Sequence, residues 1–103
     1  MKSKQIFFTE VHKAELLEDD VPELKENEVL IETEYTVISG GTERACLMGM
    51  NNTPQKFPMS PGYCGVGRVI TVGSTVESVL PGDRVLVYHG HHAKYNEIGR
   101  AHV

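Results

Sequence analysis

Short apolar runs, separated at close spacing by turn residues, dominate the hydrophobic pattern of this chain. The clearest strand is predicted over residues 29–38, which begin with the apolar run Val29-Leu30-Ile31 and then alternate between apolar and polar positions. Shorter strands are predicted over residues 5–9, 11–17, 66–72 and 84–88. The acidic residues 18–20 are expected to form a turn.

One short helix is predicted over residues 42–48, because helix-forming residues follow Thr42, whose hydroxyl is suited to cap a helix N-terminus. Glycine, proline and polar residues interrupt the rest. They predict connectors at residues 21–28 and 49–60, turns at 73–75 and 81–83, and a polar break at 89–92. The whole pattern predicts a mainly β protein, built as a barrel or a sandwich, with one short helix.

With 103 residues, 40% of them hydrophobic and 23% charged, the chain has the composition of one ordinary globular domain. The formal net charge is −4 at pH 7 and no basic patch stands out, so no nucleic acid partner is expected. Apolar runs are too short for a signal peptide or a membrane span, so no membrane partner is expected. Cys46 and Cys64 stand in no paired motif, which favours a cytoplasmic protein with reduced thiols.

Residues 97–103 form a tail that differs in character from the rest of the chain. One nucleotide encoding of this tail matches, from its second base, a common sequencing-library adapter whose next triplet is a stop codon. We therefore hypothesise that residues 97–103 are a non-native read-through product and that the folded unit covers residues 1–96. The alternative is a natural loop followed by a native stop codon.

The stretch over residues 61–85 carries the most informative motif. It places Gly62, Gly67 and Gly73 in a frame that ends in Pro81-Gly82-Asp83-Arg84-Val85. This frame resembles the G-H-E-x-x-G-x5-G-x-x-V and P-G-D-x-V motifs of the medium-chain dehydrogenase/reductase family. We expect its glycines to serve tight turns with positive φ at the corners of a barrel.

Two further segments resemble the same family, in the same order along the chain. Val29-Leu30-Ile31 followed by Gly40-Gly41-Thr42-Glu43 is similar to the V-L-V strand and the C-G-T-D motif, and His92-Ala93-Lys94-Tyr95 is similar to the A-E-Y strand start. The resemblance implies the GroES-like, partly open β-barrel of the family's N-terminal substrate domain, incomplete at its C-terminal end.

The resemblance also implies an oxidoreductase parent that transfers hydride between NAD or NADP and a small molecule, either an alcohol/carbonyl or an activated alkene. The parent is expected to be a homo-oligomer. No strand-then-helix glycine fingerprint for a Rossmann domain is found, so no cofactor-binding residues are assigned and the chain is expected to be inactive alone. The alternatives are a self-standing GroES-like binding or assembly module and a non-catalytic relative.

Zinc-dependent members of the family bind zinc through the cysteine of C-G-T-D and the histidine of G-H-E. Here these positions are Gly40 and Tyr63, and the glutamate of G-H-E is Cys64. Because two ligands are missing, the usual zinc site is not expected and no metal ligand is assigned. A substitute set of Cys64, Glu43 and either His91 or His92 stays open as an alternative.

Three residues are candidates for catalysis by this resemblance. Thr42 matches the threonine that bonds the substrate oxygen and starts a proton relay, although it could equally cap the helix. Glu43 matches a carboxylate that orients the zinc-binding histidine, and here it could accept a bond from Tyr63, pair with Arg44 or Arg68, or be solvated. Tyr63 could act as an acid or line the pocket.

The remaining predicted site residues are expected to line the substrate pocket: Gly40, Cys64, His91 and His92.

Overall fold

The structure, a computed structural model, describes residues 1–99. This part of the chain contains six strands and one helix: β1 (Lys2–Glu10), β2 (Lys13–Asp20), β3 (Val29–Thr36), α1 (Gly40–Leu47), β4 (Cys64–Val72), β5 (Arg84–Tyr88) and β6 (Tyr95–Ile98). The predicted mainly β fold with one short helix is therefore confirmed. Within residues 1–99 no helix has the length and apolar character needed to cross a membrane.

Strand β3 lies inside the larger of two antiparallel sheets. That sheet has the order β5-β4-β3-β6, and β1 pairs with β2 in a separate hairpin. The predicted apolar run at the start of β3 is buried, and Ile31 has no exposed surface. It packs in a core with five valines, Val29, Val69, Val79, Val85 and Val87, each at most 3% exposed. Burial of each such side chain contributes about 1.5–3 kcal/mol.

Backbone hydrogen bonds connect the hairpin to the larger sheet. The Ile6 N–H donates to the carbonyl oxygen of His92 at 2.9 Å, and the Lys94 N–H donates to the carbonyl oxygen of Lys4 at 2.8 Å. Farther along β1, the backbones of Phe8 and Met59 exchange two hydrogen bonds. Residues 92–98 thus pair first with β1 and then with β3. This pairing gives the partly open barrel that the resemblance predicted, and it fixes the position of His92.

The predicted acidic turn at residues 18–20 is wrong, because β2 continues to Asp20. Lys2 lies opposite Asp20 and Lys4 lies opposite Glu18 in the hairpin register. Opposite charges that face each other across antiparallel strands favour the pairing. The hairpin instead turns at residues 11–12, where His12 has a φ of 66°.

The predicted capping role of Thr42 is also wrong. Helix α1 begins at Gly40, Ser39 is its N-cap residue, and no side-chain hydroxyl caps it. Thr42 lies inside the first turn and is exposed. The Glu43 carboxylate reaches back instead and accepts a bond from the Ser39 N–H at 2.7 Å, which satisfies a backbone donor at the helix start.

The glycines of the motif over residues 61–85 serve two purposes. Gly62 and Gly82 have positive φ angles of 150° and 95°, as predicted. Gly67 does not, because its role is close packing: a Cβ there would lie 2.5 Å from the Glu32 carbonyl oxygen on β3. A Cβ at Gly73 would likewise collide with the backbone of Glu26. The prediction of positive φ therefore fails at these two positions.

The tail over residues 97–103 is only partly described. Glu97 and Ile98 belong to β6, where they lie opposite Leu30 and Val29 of β3. Residues 100–103 lie outside the described residues. The read-through hypothesis stays a prediction, because backbone pairing of this kind is open to many residue types.

Candidate substrate site

His92 connects a hydroxyl and a carboxylate that are far away from it in the sequence. One ring nitrogen, Nε2, lies 2.5 Å from Oε1 of Glu43, and the other, Nδ1, lies 2.7 Å from Oγ1 of Thr36. The side chains of His92 and Glu43 are 11% and 14% exposed. Hydrogen bonds that involve a charged group are stronger than neutral ones when water is excluded. This chain of three side chains is therefore a fixed feature of the site.

Each of the three groups is held by a different element. Thr36 is the last residue of β3, and Glu43 lies in the first turn of α1, where its second oxygen accepts from Ser39. The His92 backbone is held between two segments, since its N–H donates to Pro61 at 3.1 Å and its carbonyl accepts from Ile6. The imidazole is thus oriented from both its ring and its backbone.

An apolar groove of about 480 Å³ lies against these side chains. Five apolar residues line it: Ile6, Phe8, Ile38, Leu47 and Pro61. The other lining residues are Thr36, Gly40, Glu43, Arg44 and His92. A groove with apolar walls and a few convergent polar groups suits a small molecule with an apolar body and one polar end.

Three of the predicted site residues come together in this groove: Gly40, Glu43 and His92. Thr36 completes the polar end of the groove, and the sequence reasoning missed it. In the sequence, a threonine near the end of a predicted strand cannot be distinguished from an ordinary solvent-facing strand residue. The contact with His92 spans 56 positions in sequence, so only the closure of the barrel reveals it.

Thr42 lies apart from the groove. It lines a second pocket of about 370 Å³ together with Gly41, Ala45, Cys46, Asn52, Thr53 and Pro54. Neighbouring residues of a helix point in directions about 100° apart, so Thr42 and Glu43 face different sides of α1. The structure therefore does not bring Thr42 together with His92, and its proposed catalytic role stays a prediction.

Tyr63 belongs to an exposed aromatic cluster. Its hydroxyl lies 3.4 Å from that of Tyr88, and its ring packs edge-on against His89. The bond from Tyr63 to Glu43, one of the alternatives for this carboxylate, is not formed, because Glu43 binds His92 and Ser39. The hydrogen bond with Tyr88, together with repulsion from a Tyr88 phenolate, raises the pKa of Tyr63 above its ordinary value.

The alternative pairs of Glu43 with Arg44 or Arg68 are not formed either. The Arg68 guanidinium donates to the Gly82 carbonyl oxygen at 3.1 Å. Within the described residues, the Glu43 carboxylate instead contacts Nε2 of His92.

His89, His91 and His92 make contacts in different parts of the structure, because the backbone there is not an extended strand. His89 has a φ of 60° and packs its ring against Tyr88, with 4.1 Å between the ring centroids. His91 is exposed and its Nδ1 lies 3.2 Å from the Ser60 carbonyl oxygen. His91 and Cys64 line a narrow crevice that also includes Thr36. Of the predicted pocket residues, these two lie outside the apolar groove.

The residues present do not fit the zinc site of the family. Gly40 has no ligand atom, and Tyr63 faces Tyr88. Among residues 1–99, no three His, Cys, Asp or Glu side chains are grouped closely enough to hold a metal ion. A catalytic zinc needs about three protein ligands, and the described residues do not supply them at the family's position.

Comparison with known proteins identifies the family of this chain. The model of the alcohol dehydrogenase GroES-like domain family matches residues 25–103. The chain belongs to this family. The match confirms the predicted resemblance to the N-terminal part of medium-chain dehydrogenases/reductases. Gly40, Glu43 and His92, which meet in the groove, all lie inside the matched range.

Relatives of this domain are oxidoreductases. An S-(hydroxymethyl)glutathione dehydrogenase of Escherichia coli O1:K1 / APEC is 37% identical over 87 residues, which cover 84% of this chain and 23% of the relative. A solved structure described as an NADPH:quinone reductase from Bacillus thuringiensis superimposes with a TM-score of 0.79 at 26% identity. The superposition covers 95% of this chain and 31% of the reductase chain.

A second solved structure shows the shared fold. A protein described as an alcohol dehydrogenase from Sinorhizobium meliloti 1021 has a TM-score of 0.83 at 20% identity, covering 99% of this chain and 38% of its own. The chain therefore spans about a quarter of the length of the curated relatives it matches and about a third of these solved structures.

Proposed function

We propose that this chain is the substrate-side domain of an NAD(P)-dependent oxidoreductase. The observation that supports this most strongly is the apolar groove with its His92–Glu43 pair, in a domain of the alcohol dehydrogenase GroES-like family. The parent would transfer hydride to or from an alcohol/carbonyl or an activated alkene. The dehydrogenase and quinone reductase among the similar proteins support this class of reaction.

The cofactor of the proposed parent is NAD or NADP. A Rossmann domain binds such dinucleotides where a strand runs through a glycine-rich turn into a helix. Within residues 1–99, the helix α1 follows β3 through residues 37–39, which contain no glycine. The glycines Gly65 and Gly67 instead lie inside the antiparallel strand β4. The proposal therefore assigns dinucleotide binding to another part of the parent and predicts that this chain alone is inactive.

Zinc-independent reduction is the favoured form of this chemistry. Positions Gly40 and Tyr63 carry no ligands for the family's metal, and the His92–Glu43 pair offers an acid–base group of its own. The proposal further assigns a cytoplasmic location and a homo-oligomeric parent. The cytoplasmic location is supported by Cys46 and Cys64, which are both free thiols.

The intact gene tests the proposal. Genomic DNA is sequenced through the codons for residues 97–103 and beyond. We expect an open reading frame that continues into a strand-to-helix segment with a G-x-G-x-x-G fingerprint. A genuine stop codon directly after Val103, with no such segment in frame, would contradict the proposal and favour a self-standing binding module.

A further inference from the structure

The hydrogen-bond chain Thr36–His92–Glu43 ends at the wall of the apolar groove. Building on the proposed function, we propose that Thr36 is a catalytic residue that gives a proton to the oxygen of an apolar ketone or aldehyde. His92 then returns a proton to Thr36, and Glu43 orients His92. Thr36 thus has the catalytic role, His92 supplies the proton, and Glu43 is a positioning residue.

The direction of the hydrogen bonds follows from the chemistry of the groups. A carboxylate only accepts, so Nε2 of His92 carries a proton that it donates to Glu43. In neutral His92, Nδ1 accepts the hydroxyl hydrogen of Thr36. In the imidazolium form both nitrogens donate, and Nδ1–H then points to the Thr36 oxygen. The hydroxyl hydrogen of Thr36 is then free to turn toward a ligand in the groove.

The order of the groups resembles the hydroxyl–imidazole–carboxylate arrangement of Ser-His-Asp enzymes, in which the carboxylate fixes the tautomer and orientation of the ring. Here the carboxylate is itself held by the Ser39 N–H at 2.7 Å. The ionisable side chains that line the groove beside His92 are Glu43 and Arg44, and Arg44 is exposed. The Glu43 carboxylate is therefore the ionisable group in contact with the His92 ring.

The walls of the groove select the ligand. Ile6, Phe8 and Leu47 offer no polar side-chain atom, so they favour an apolar body such as an alkyl or a ring. The oxygen of the ligand would then be placed at Thr36, where the polar groups converge. The substrate class is an uncharged, apolar carbonyl compound in reduction, or the matching alcohol in oxidation.

A reduced nicotinamide bound elsewhere in the parent would supply the hydride that adds to the carbonyl carbon as the C=O π bond breaks. The oxygen takes the hydroxyl proton of Thr36, while Nδ1–H of the His92 imidazolium gives its proton to the Thr36 oxygen. The products are an alcohol, an oxidised nicotinamide and a neutral His92 that still donates through Nε2 to Glu43.

The contact with the ligand is tested in the chain itself by NMR, with cyclohexanone as the probe and methylenecyclohexane as the matched compound without an oxygen. We expect both to shift signals of Ile6, Phe8 and Leu47, and cyclohexanone also to shift the Thr36 methyl signal. Thr36→Val, which removes the hydroxyl and keeps the shape, should lower cyclohexanone affinity about fivefold and leave methylenecyclohexane affinity unchanged.

Two further variants control this measurement. Thr36→Ser keeps a hydroxyl and should keep the affinity for cyclohexanone. Thr71→Val makes the same change on the exposed side of β4 and should alter neither affinity. Equal affinity of wild type and Thr36→Val for cyclohexanone, binding outside the groove, or no binding at all would overturn the proposal.

The proton transfer is tested by turnover of the intact gene product with cyclohexanone. Thr36→Val should lower kcat about 100-fold with little change in KM, Thr36→Ser should restore it, and His92→Gln should flatten the pH profile of kcat. An unchanged kcat in Thr36→Val would overturn the relay and leave the proposed function intact. Absence of nicotinamide-dependent turnover would instead refute the proposed function, while the NMR measurement still decides the Thr36 contact.

Discussion

At the scale of single residues, the pair of His92 and Glu43 is the contact that most shapes the site. Both side chains are largely removed from water, and Glu43 also holds the start of α1 through Ser39. Loss of the Glu43 charge would weaken two hydrogen bonds at once, one with His92 and one with the Ser39 N–H. The same residue thus links the stability of the helix start to the orientation of the imidazole.

Glu43→Gln should lower the free energy of unfolding by about 1.5 kcal/mol, because a neutral amide accepts a weaker hydrogen bond than a carboxylate does. Urea unfolding of the chain measures this. The matched variant Glu77→Gln, at an exposed position, should change the free energy by less than about 0.5 kcal/mol. Equal losses in the two variants would contradict a special role for Glu43.

Tyr63 offers a second test at this scale. Its contact with Tyr88 raises its pKa, since the neutral phenol is stabilised and two neighbouring phenolates would repel each other. Tyr88→Phe should therefore lower the pKa of Tyr63 toward its ordinary value. Titration of ring-labelled tyrosine by NMR follows each phenol separately. The control Tyr35→Phe should leave the pKa of Tyr63 unchanged, and an equal effect of both variants would refute the contact.

At the scale of elements, close packing of β4 on β3 explains a glycine that the sequence motif marks. A methyl group at Gly67 would collide with the Glu32 carbonyl oxygen and the Ile31 side chain. Gly67→Ala should lower the free energy of unfolding by about 1–3 kcal/mol, as expected for an overpacked position. Thermal unfolding of the chain measures the change.

Gly41→Ala is the matched control for this substitution. Nothing lies within 4 Å of a Cβ at Gly41, which is exposed in the first turn of α1. Because alanine has the higher helix propensity, this variant should raise the free energy of unfolding by up to about 1 kcal/mol. Destabilisation by both variants would show that backbone freedom, rather than packing, explains the effect at Gly67.

Glu97 in strand β6 makes a pH-dependent contribution to the stability of the fold. Partial burial, and next the neighbouring Glu28, raise the pKa of the Glu97 carboxyl above its ordinary value of 4.5. The protonated carboxyl therefore favours the folded state at low pH, and this contribution is lost as the pH rises through the raised pKa. Glu97→Gln should remove this loss, so the variant should be slightly more stable than wild type at neutral pH, by less than about 0.5 kcal/mol.

Unfolding curves recorded from acidic to neutral pH measure this difference. A wild type that stays as stable as Glu97→Gln across the whole range would contradict the assignment.

The sequence predicted strands better than it predicted their ends. The apolar run at Val29-Leu30-Ile31 identified β3 because buried strands carry a strong local signal. The end of β2 and the start of α1 were placed wrongly, since cross-strand charge pairs and the bond from Glu43 to Ser39 decide them. Such contacts form only in the folded structure, so local sequence propensity does not predict them.

The site was predictable only where a motif pointed to it. Gly40 and Glu43 lie in the C-G-T-D-like segment, and their place in the groove follows from the family resemblance. The partner of Glu43 was open to several alternatives, because His92 is 49 positions away. Its contact depends on how residues 92–94 pair with β1, and no local pattern reports such a pairing.

At the scale of the whole molecule, the apolar groove and its surroundings open to solvent. Ile38, which lines the groove, is 72% exposed, and Tyr35 and Val37, on either side of the last residue of β3, are 70% and 57% exposed. Exposed apolar surface of this kind marks a place where other parts of a protein or a ligand bind. Under the proposed function, the remainder of the parent would cover this surface.

Turnover by the full-length product of the intact gene tests the central claim most directly. Oxidation of NADH and of NADPH is followed with a panel of apolar ketones, aldehydes and enones, and the 103-residue chain is measured in parallel. We expect the full-length protein to oxidise at least one nicotinamide in a substrate-dependent manner and the 103-residue chain to oxidise neither. A folded full-length protein that consumes neither cofactor with any member of the panel would contradict it.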